Sequence, residues 1–422
     1  MDLFNVFALL ITFAAVFGWL NHRILRLPMT IGLMVMALLL SLALIAVGSL
    51  GIAGGSRLVD TIRTIDFDET LLHGMLGALL FAGALHVDLN DLVSRKWTIA
   101  LLATGGVVLS TILVGTASYF VFGVLGIAIG LWPCLLFGAL IAPTDPIAVL
   151  GVIKRVAIPR SLATKIAGES MFNDGMGVAL FTLLLPFATG HVDVHPVQIV
   201  RLLLLEIVGG LLFGFLLGWI AYQMLKRVDQ PQVEVLITLA IVTGGYALAQ
   251  RLHLSGPLAM VVAGLLIGNH GRRFAMSDRT RKRLDVFWEL IDDLLNALLF
   301  MLIGFELLVV TVGLESVAAG AIAIFIVLAA RWTSVAVSVT LLRATRSFSP
   351  HVVKVLTWSG LRGGISVALA LSLPPGAEKA TIVAVTYIVV AFSIIVQGLT
   401  LEPVVKRLYP GPAPSAGLPK PS

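Results

Sequence analysis

Charged residues are scarce in this chain: Asp, Glu, Lys and Arg make up 12% of its 422 residues, against 58% hydrophobic residues. Soluble domains carry about 25% charge, so a water-soluble globule is excluded. Cysteine is nearly absent, and the lone Cys134 rules out a disulfide framework or a cysteine metal cluster. Within its apolar run it reads as a small buried hydrophobe. There is no His-Glu-x-x-His, no Gly-Lys-Ser/Thr phosphate loop and no dinucleotide fingerprint in a soluble context. Direct ATP use and redox chemistry are thereby excluded, no cofactor is expected, and the chain does not read as an enzyme. The first apolar run begins Met1-Asp2-Leu3-Phe4 without a basic leader, so it is expected to be retained as a helix. Long polar stretches are missing as well. The most polar, Arg272 to Arg283, is expected to be a loop, and the Pro/Gly/Ser-rich tail 410–422 is expected to be disordered and cytoplasmic.

What is present is a series of apolar runs of about 20 residues, the length a helix needs to cross a bilayer. Thirteen are predicted, at approximately 3–20, 29–50, 70–88, 97–120, 132–153, 162–187, 198–225, 233–251, 255–269, 286–310, 316–342, 352–374 and 380–405. The expected fold class is an all-α integral membrane protein, with residues 1–409 as one transmembrane domain. Orientation follows from the basic residues, which accumulate in cytoplasmic loops. With the N-terminus outside, only Arg57, Arg63, Arg201, Arg251 and Lys379 fall outside and Arg331 and Arg362 within spans; the rest of the 29 are cytoplasmic, as is the C-terminus. The net charge of +6 is therefore a sign of topology. No nucleic-acid partner is implied.

Five ionisable residues lie deep in the apolar runs: Asp145, Glu169, Asp174, Arg331 and Arg362. At about 2.5–3.5 kcal/mol each near the bilayer centre, together they would cost roughly 12–18 kcal/mol if unpaired and facing lipid. They are expected to face one another, water or an ion. Two spans are also interrupted. In Ala142-Pro143-Thr144-Asp145-Pro146 each proline removes an N–H, freeing the carbonyls of Ala139 and Ala142 for a cation. In Ser359-Gly360-Leu361-Arg362-Gly363-Gly364 three glycines and a charge break the twelfth span. Paired interrupted helices point to a transporter's binding site.

The sixth span carries Gly168-Glu169-Ser170-Met171-Phe172-Asn173-Asp174-Gly175. On a helix Glu169 and Asn173, and Ser170 and Asp174, are i,i+4 neighbours and form one polar strip. A monovalent cation such as Na⁺ is hard and prefers oxygen ligands. Asp174, Asp145, Ser170, Thr144 and Asn173 are the candidate cation-site residues, with Asp174 and Asp145 as the groups that exchange a proton for the ion. Glu169 is expected to neutralise an arginine, Arg331 or Arg362.

Together with Phe287-Trp288-Glu289 and Leu299-Phe300-Met301-Leu302-Ile303-Gly304, these motifs resemble the monovalent cation:proton antiporters of the NhaP and eukaryotic NHE type. The resemblance runs from the third span to the thirteenth in the family's order and spacing. It implies inverted repeats with two crossed discontinuous helices, a core subdomain moving against a dimerisation subdomain, and a homodimer. It also implies Asp174 as the essential carrier, Asp145 and Ser170 as ligands, a Glu169–arginine bridge, and electroneutral exchange of one cation for one proton. In one respect the chain departs from the family. Leu79-Leu80-Phe81 is followed by Ala82, where many relatives carry an acid, which leaves selectivity among Na⁺, Li⁺ and K⁺ open.

Asp292 and Asp293, near Glu289, are expected either to line an inward funnel or to pair with Arg279, Arg281 or Arg283. Trp19, Trp97, Trp132 and Trp288 are expected at the membrane interfaces. Segment 56–69 is expected to form a short external helix. A short cytoplasmic tail suggests a bacterial or archaeal inner membrane. The competing readings are a cation channel, whose filter would come from several subunits, and an intramembrane hydrolase built on Asp145 and Asp174.

Overall fold

A computed structural model describes residues 3–49, 75–145, 149, 158–190, 196–272, 275–308, 310, 313–346 and 348–409. Segment 56–69, Pro146 and the tail 410–422 lie outside the described residues. Among those described, every regular element is helical. In chain order they are α1 (Leu3–Leu20), α2 (Met29–Ser49), α3 (Leu76–Leu85), α4 (Lys96–Val124), α5 (Leu131–Ile141), α6 (Arg160–Ala188) and α7 (Pro196–Leu225). There follow α8 (Pro231–Arg251), α9 (Gly256–Gly271), α10 (Asp278–Phe305), α11 (Leu314–Leu342), α12 (Val352–Trp358), α13 (Gly364–Leu371) and α14 (Glu378–Leu408).

Helix is found in each of the thirteen expected runs, because lipid offers no partner for a backbone N–H or C=O and only a helix satisfies them within one segment. Among the described residues eight helices are long and apolar enough to cross a membrane by length and composition. The starts are set by capping. Ser255 accepts from the Leu258 amide at 3.4 Å at the head of α9, and Ser277 from the Thr280 amide at 3.3 Å at the head of α10. α7 leaves Leu205, Leu212, Phe215 and Trp219 exposed, the all-round apolar pattern of a helix facing lipid.

Glycine brings particular helices into backbone contact. A Cβ at Gly138 of α5 would lie 2.3 Å from the Thr111 carbonyl oxygen of α4, and one at Gly214 of α7 would lie 2.4 Å from that of Ala259 in α9. Among the described residues two large buried cores result, with a smaller cluster of Val107, Ala139, Ala142, Met176 and Leu180 between α4, α5 and α6. One joins α1, α2, α5, α11, α13, α14 and the end of α10; the other joins α3, α8, α9 and the start of α10. Trp288, expected at an interface, is instead fully buried in the second core. Its indole N–H donates to Thr238 Oγ1 at 3.0 Å and its ring lies 4.8 Å from that of Phe81, so it locks α10 to α8 and α3. Trp19, Trp97 and Trp132 are exposed.

Candidate functional site

The two breaks meet. α5 ends at Ile141, and residues 142–145 continue without helix; residues 359–363 separate α12 from α13. The Asp145 amide donates to the Leu361 carbonyl at 2.7 Å, one backbone bond between the two interrupted segments. Arg362 Nη1 donates to the carbonyls of Ala142 and Pro143, the latter at 3.0 Å. This corrects the expectation that the Ala142 carbonyl is left for a cation. A guanidinium from the opposite break already occupies it, a fixed charge satisfying the acceptor that proline left open.

Around this junction α6 presents its polar strip. Glu169, Ser170, Asn173 and Asp174 are between 0 and 3% exposed, because the strip faces α5 rather than lipid. Ser170 Oγ lies 2.9 Å from Thr144 Oγ1. The Asn173 amide nitrogen donates to Thr144 Oγ1 at 2.8 Å, and its oxygen accepts from the Thr144 backbone N–H at 3.3 Å. Asn173 thus clamps the unwound residue at both backbone and side chain. Gly177, three residues after Asp174, lets the Pro143 ring lie against α6: a Cβ there would fall 2.1 Å from Pro143 Cγ.

Glu169 pairs with Arg331 of α11, whose Nη2 also donates to the Leu356 carbonyl at 3.1 Å at the end of α12. The choice between arginines that the sequence left open is made by geometry. Arg331 reaches Glu169, and Arg362 turns to the first break. Both cations are therefore held by fixed partners. Asp174 and Asp145 are buried carboxylates within electrostatic range of each other, Asp174 one helical turn from Ser170 and Asp145 next to Thr144 in the chain. Two like charges at such a position are mutually unfavourable until a proton or a cation joins them.

Gly363 and Gly360 set how closely these groups approach. A Cβ at Gly363 would lie 2.7 Å from Asp145 Cβ and 2.8 Å from its Oδ2; one at Gly360 would lie 2.6 Å from Arg331 Nε. Sequence reasoning took these glycines as helix breakers and missed their steric task. It also missed Ser393 and Gln397. Ser393 Oγ accepts from the Arg362 backbone N–H at 2.9 Å and donates to Gln397 Oε1 at 2.7 Å, and Gln397 Nε2 donates to the Trp358 carbonyl at 3.3 Å. Their signal was an i,i+4 polar pair in the otherwise apolar last span, here in a π-helical turn, Ser393–Gln397.

The remaining acidic candidates separate. Arg281 pairs with Asp278 at 2.7 Å and Arg272 with Asp285, so Arg281 is not the partner of Asp292 or Asp293. Asp292 is half-buried and Asp293 and Glu289 are exposed. Ala82 is buried in α3 and offers no side-chain oxygen.

A family model described as sodium/hydrogen exchanger, transmembrane, matches residues 10–407. The chain is similar to the Na⁺/H⁺ antiporter NhaP of Pseudomonas aeruginosa, at 48% identity over 413 residues, covering 96% of this chain and 97% of that one. It is also similar to the Na⁺/H⁺ antiporter NhaH of Halobacillus dabanensis, at 35% identity over 378 residues, covering 87% and 91%. Among solved structures, the sodium proton antiporter MjNhaP1 from Methanocaldococcus jannaschii superimposes with a TM-score of 0.73 at 19% identity, covering 97% of this chain and 99% of that one. At that identity the likeness speaks for the fold.

Proposed function

The chain belongs to the transmembrane sodium/hydrogen exchanger family, and we propose that it is a secondary active transporter exchanging a monovalent cation, Na⁺ first, for H⁺. The observation that carries this reading is the division of charge at the junction of the two breaks. Arg331 and Arg362 are engaged by Glu169 and by backbone carbonyls, and Asp145 and Asp174 sit buried beside Thr144 and Ser170. A site with two buried acids beside hydroxyl oxygens takes either a proton or a metal ion. Competition between the two is the minimum chemistry of exchange.

In this reading Asp174 carries cation and proton, Asp145 and Ser170 are ligands, and Thr144 contributes oxygen at the unwound turn. Asn173, expected among the ligands, is assigned to holding Thr144, since its amide is engaged there at both ends. Rocking of a core subdomain around the site gives alternating access. We further propose thirteen spans in inverted repeats with the two interrupted helices crossed, the N-terminus outside, the C-terminus cytoplasmic, a homodimer, an inner-membrane location and electroneutral exchange without a cofactor. A channel is disfavoured because the acids and hydroxyls come from one chain rather than a ring of subunits.

The test is proton flux in sealed everted vesicles with an imposed pH gradient, adding Na⁺, Li⁺ and K⁺ in turn. Collapse of the gradient by wild type and not by Asp174→Asn is the expected result, and the active cation names the substrate. Cation movement without proton movement would overturn the exchange reading. Cys134 is buried, so single cysteines placed at either end of the chain would report sidedness against a quiet background.

A further inference from the structure

The helices α3 and α10, which pack on each other, differ in chemistry. On the α3 side Leu79 and Ala82 are buried and apolar, while Gly83 is exposed and a Cβ there would meet no atom within 4 Å, so the helix borders open space at that point. His86, one turn further on, is exposed, with Nδ1 2.9 Å from the Ala82 carbonyl oxygen. Contact between Phe81 and Trp288 sets the register of α3 against α10. One turn after Trp288 comes the half-buried Asp292, and one turn after that Asn296, which is 2% exposed.

Asn296 lies against the Asp292 carboxylate, and its Oδ1 is buried with no hydrogen-bond partner among the described residues. A buried amide oxygen left unmatched is unfavourable, and a transient ligand would relieve that penalty. Asp292 lies within electrostatic range of the exposed His86 and Asp293 and of the buried Asp145. It is thus a half-buried acid one helical turn before the buried Asn296, within range of the site. A carboxylate with an adjacent bare carbonyl oxygen is a pair of hard ligands for a monovalent cation and has no use for an anion.

We propose that Asp292 and the Asn296 side-chain oxygen form a waypoint that holds the incoming cation before it passes to Asp145 and Asp174, so that α10 sets how well the protein captures its ion. The inference rests on the exchange reading above. It makes Asp292 a ligand on the path rather than a carrier, so neutralising it weakens capture and spares the exchange step.

The experiment measures Na⁺-dependent proton flux in proteoliposomes for wild type, Asp292→Asn, Asp292→Glu and Asn296→Ala, with half-saturating Na⁺ and maximal rate separated. Asp292→Asn is expected to raise half-saturating Na⁺ by about fivefold or more with the maximal rate within about twofold, the signature of lost ground-state binding. Asp292→Glu is expected to return it to near the wild-type value, and Asn296→Ala to shift it in the same direction as Asp292→Asn. Unchanged half-saturation in Asp292→Asn, with wild type exchanging normally, would overturn the waypoint alone. So would an equal fall in maximal rate in both Asp292 variants, which marks a structural residue. Wild type that moves no protons on Na⁺ addition would instead remove the exchange reading and the waypoint with it.

Discussion

Arg362 and Asp145 stand in opposite breaks and each completes the other's segment. The arginine donates to the carbonyls of Ala142 and Pro143, and the Asp145 amide donates to the carbonyl of Leu361, the residue before Arg362. Irregular backbone at membrane depth survives only where protein or a cavity satisfies it. Here each irregular segment is the other's partner, and Asp145, the acid proposed to bind the cation, is fixed by the same bonds.

Removing Arg362 therefore strands buried carbonyls rather than a counter-charge. A bond from a charged donor contributes about 1.5–3 kcal/mol, so Arg362→Ala is expected to lower the thermal unfolding midpoint in detergent by several degrees and to reduce exchange as well. Arg362→Lys is expected to recover part of the stability, since an ammonium can also donate to these carbonyls but lacks the planar guanidinium's fixed geometry. An Arg362→Ala protein that unfolds at the wild-type temperature would mean that the junction is held by other contacts.

The Glu169–Arg331 pair calls for a double-mutant cycle. Each single substitution to Ala leaves one uncompensated buried charge, at an expected cost of about 3–5 kcal/mol. The double variant is expected to lose less than the sum of the two, because the remaining charge is gone with its partner. Thermal midpoints of the three variants check this, and strict additivity would show that the two side chains act independently.

At Gly363 the argument is steric. Its backbone is extended, so alanine brings no φ strain, only a methyl group 2.7 Å from Asp145 Cβ. Gly363→Ala is expected to fold and to lose most of its cation-coupled proton flux, because Asp145 must move away from Asp174 and Ser170. Normal flux in a folded Gly363→Ala protein would show that the position of Asp145 is not restrictive.

Much of this was legible in the chain because membrane insertion penalises every polar group that lacks a purpose. The run lengths gave the helices, and five deep charges and two Pro- or Gly-broken spans marked the site. Two kinds of fact were hidden. Pairing across long sequence separations was one: nothing local distinguishes Arg331 from Arg362, since both are lone arginines in apolar spans, and only the packing of α11 against α12 brings one of them to Glu169. The other was burial on the inner side of a helix end. Trp288 sits in the first half of α10 among charged residues, a pattern shared by interfacial tryptophans, yet α3 and α8 cover it completely.

Asn173 gives the sharpest separation between holding an ion and holding the residues that hold it. Its amide bonds Thr144 at the backbone N–H and at the hydroxyl, and Thr144 in turn lies 2.9 Å from Ser170. Asn173→Ala leaves both carboxylates in place but frees Thr144 and orphans a buried N–H, a cost of about 1–3 kcal/mol. The expected phenotype is a folded protein whose half-saturating Na⁺ rises and whose selectivity among Na⁺, Li⁺ and K⁺ weakens, because the hydroxyl pair no longer has a fixed position. Thr144→Val, which keeps the backbone bond and removes the hydroxyl, is expected to show the same loss of selectivity with less loss of stability. Flux titrations with the three cations decide it: if Asn173→Ala keeps wild-type half-saturation for each, the clamp on Thr144 plays no part in shaping the site.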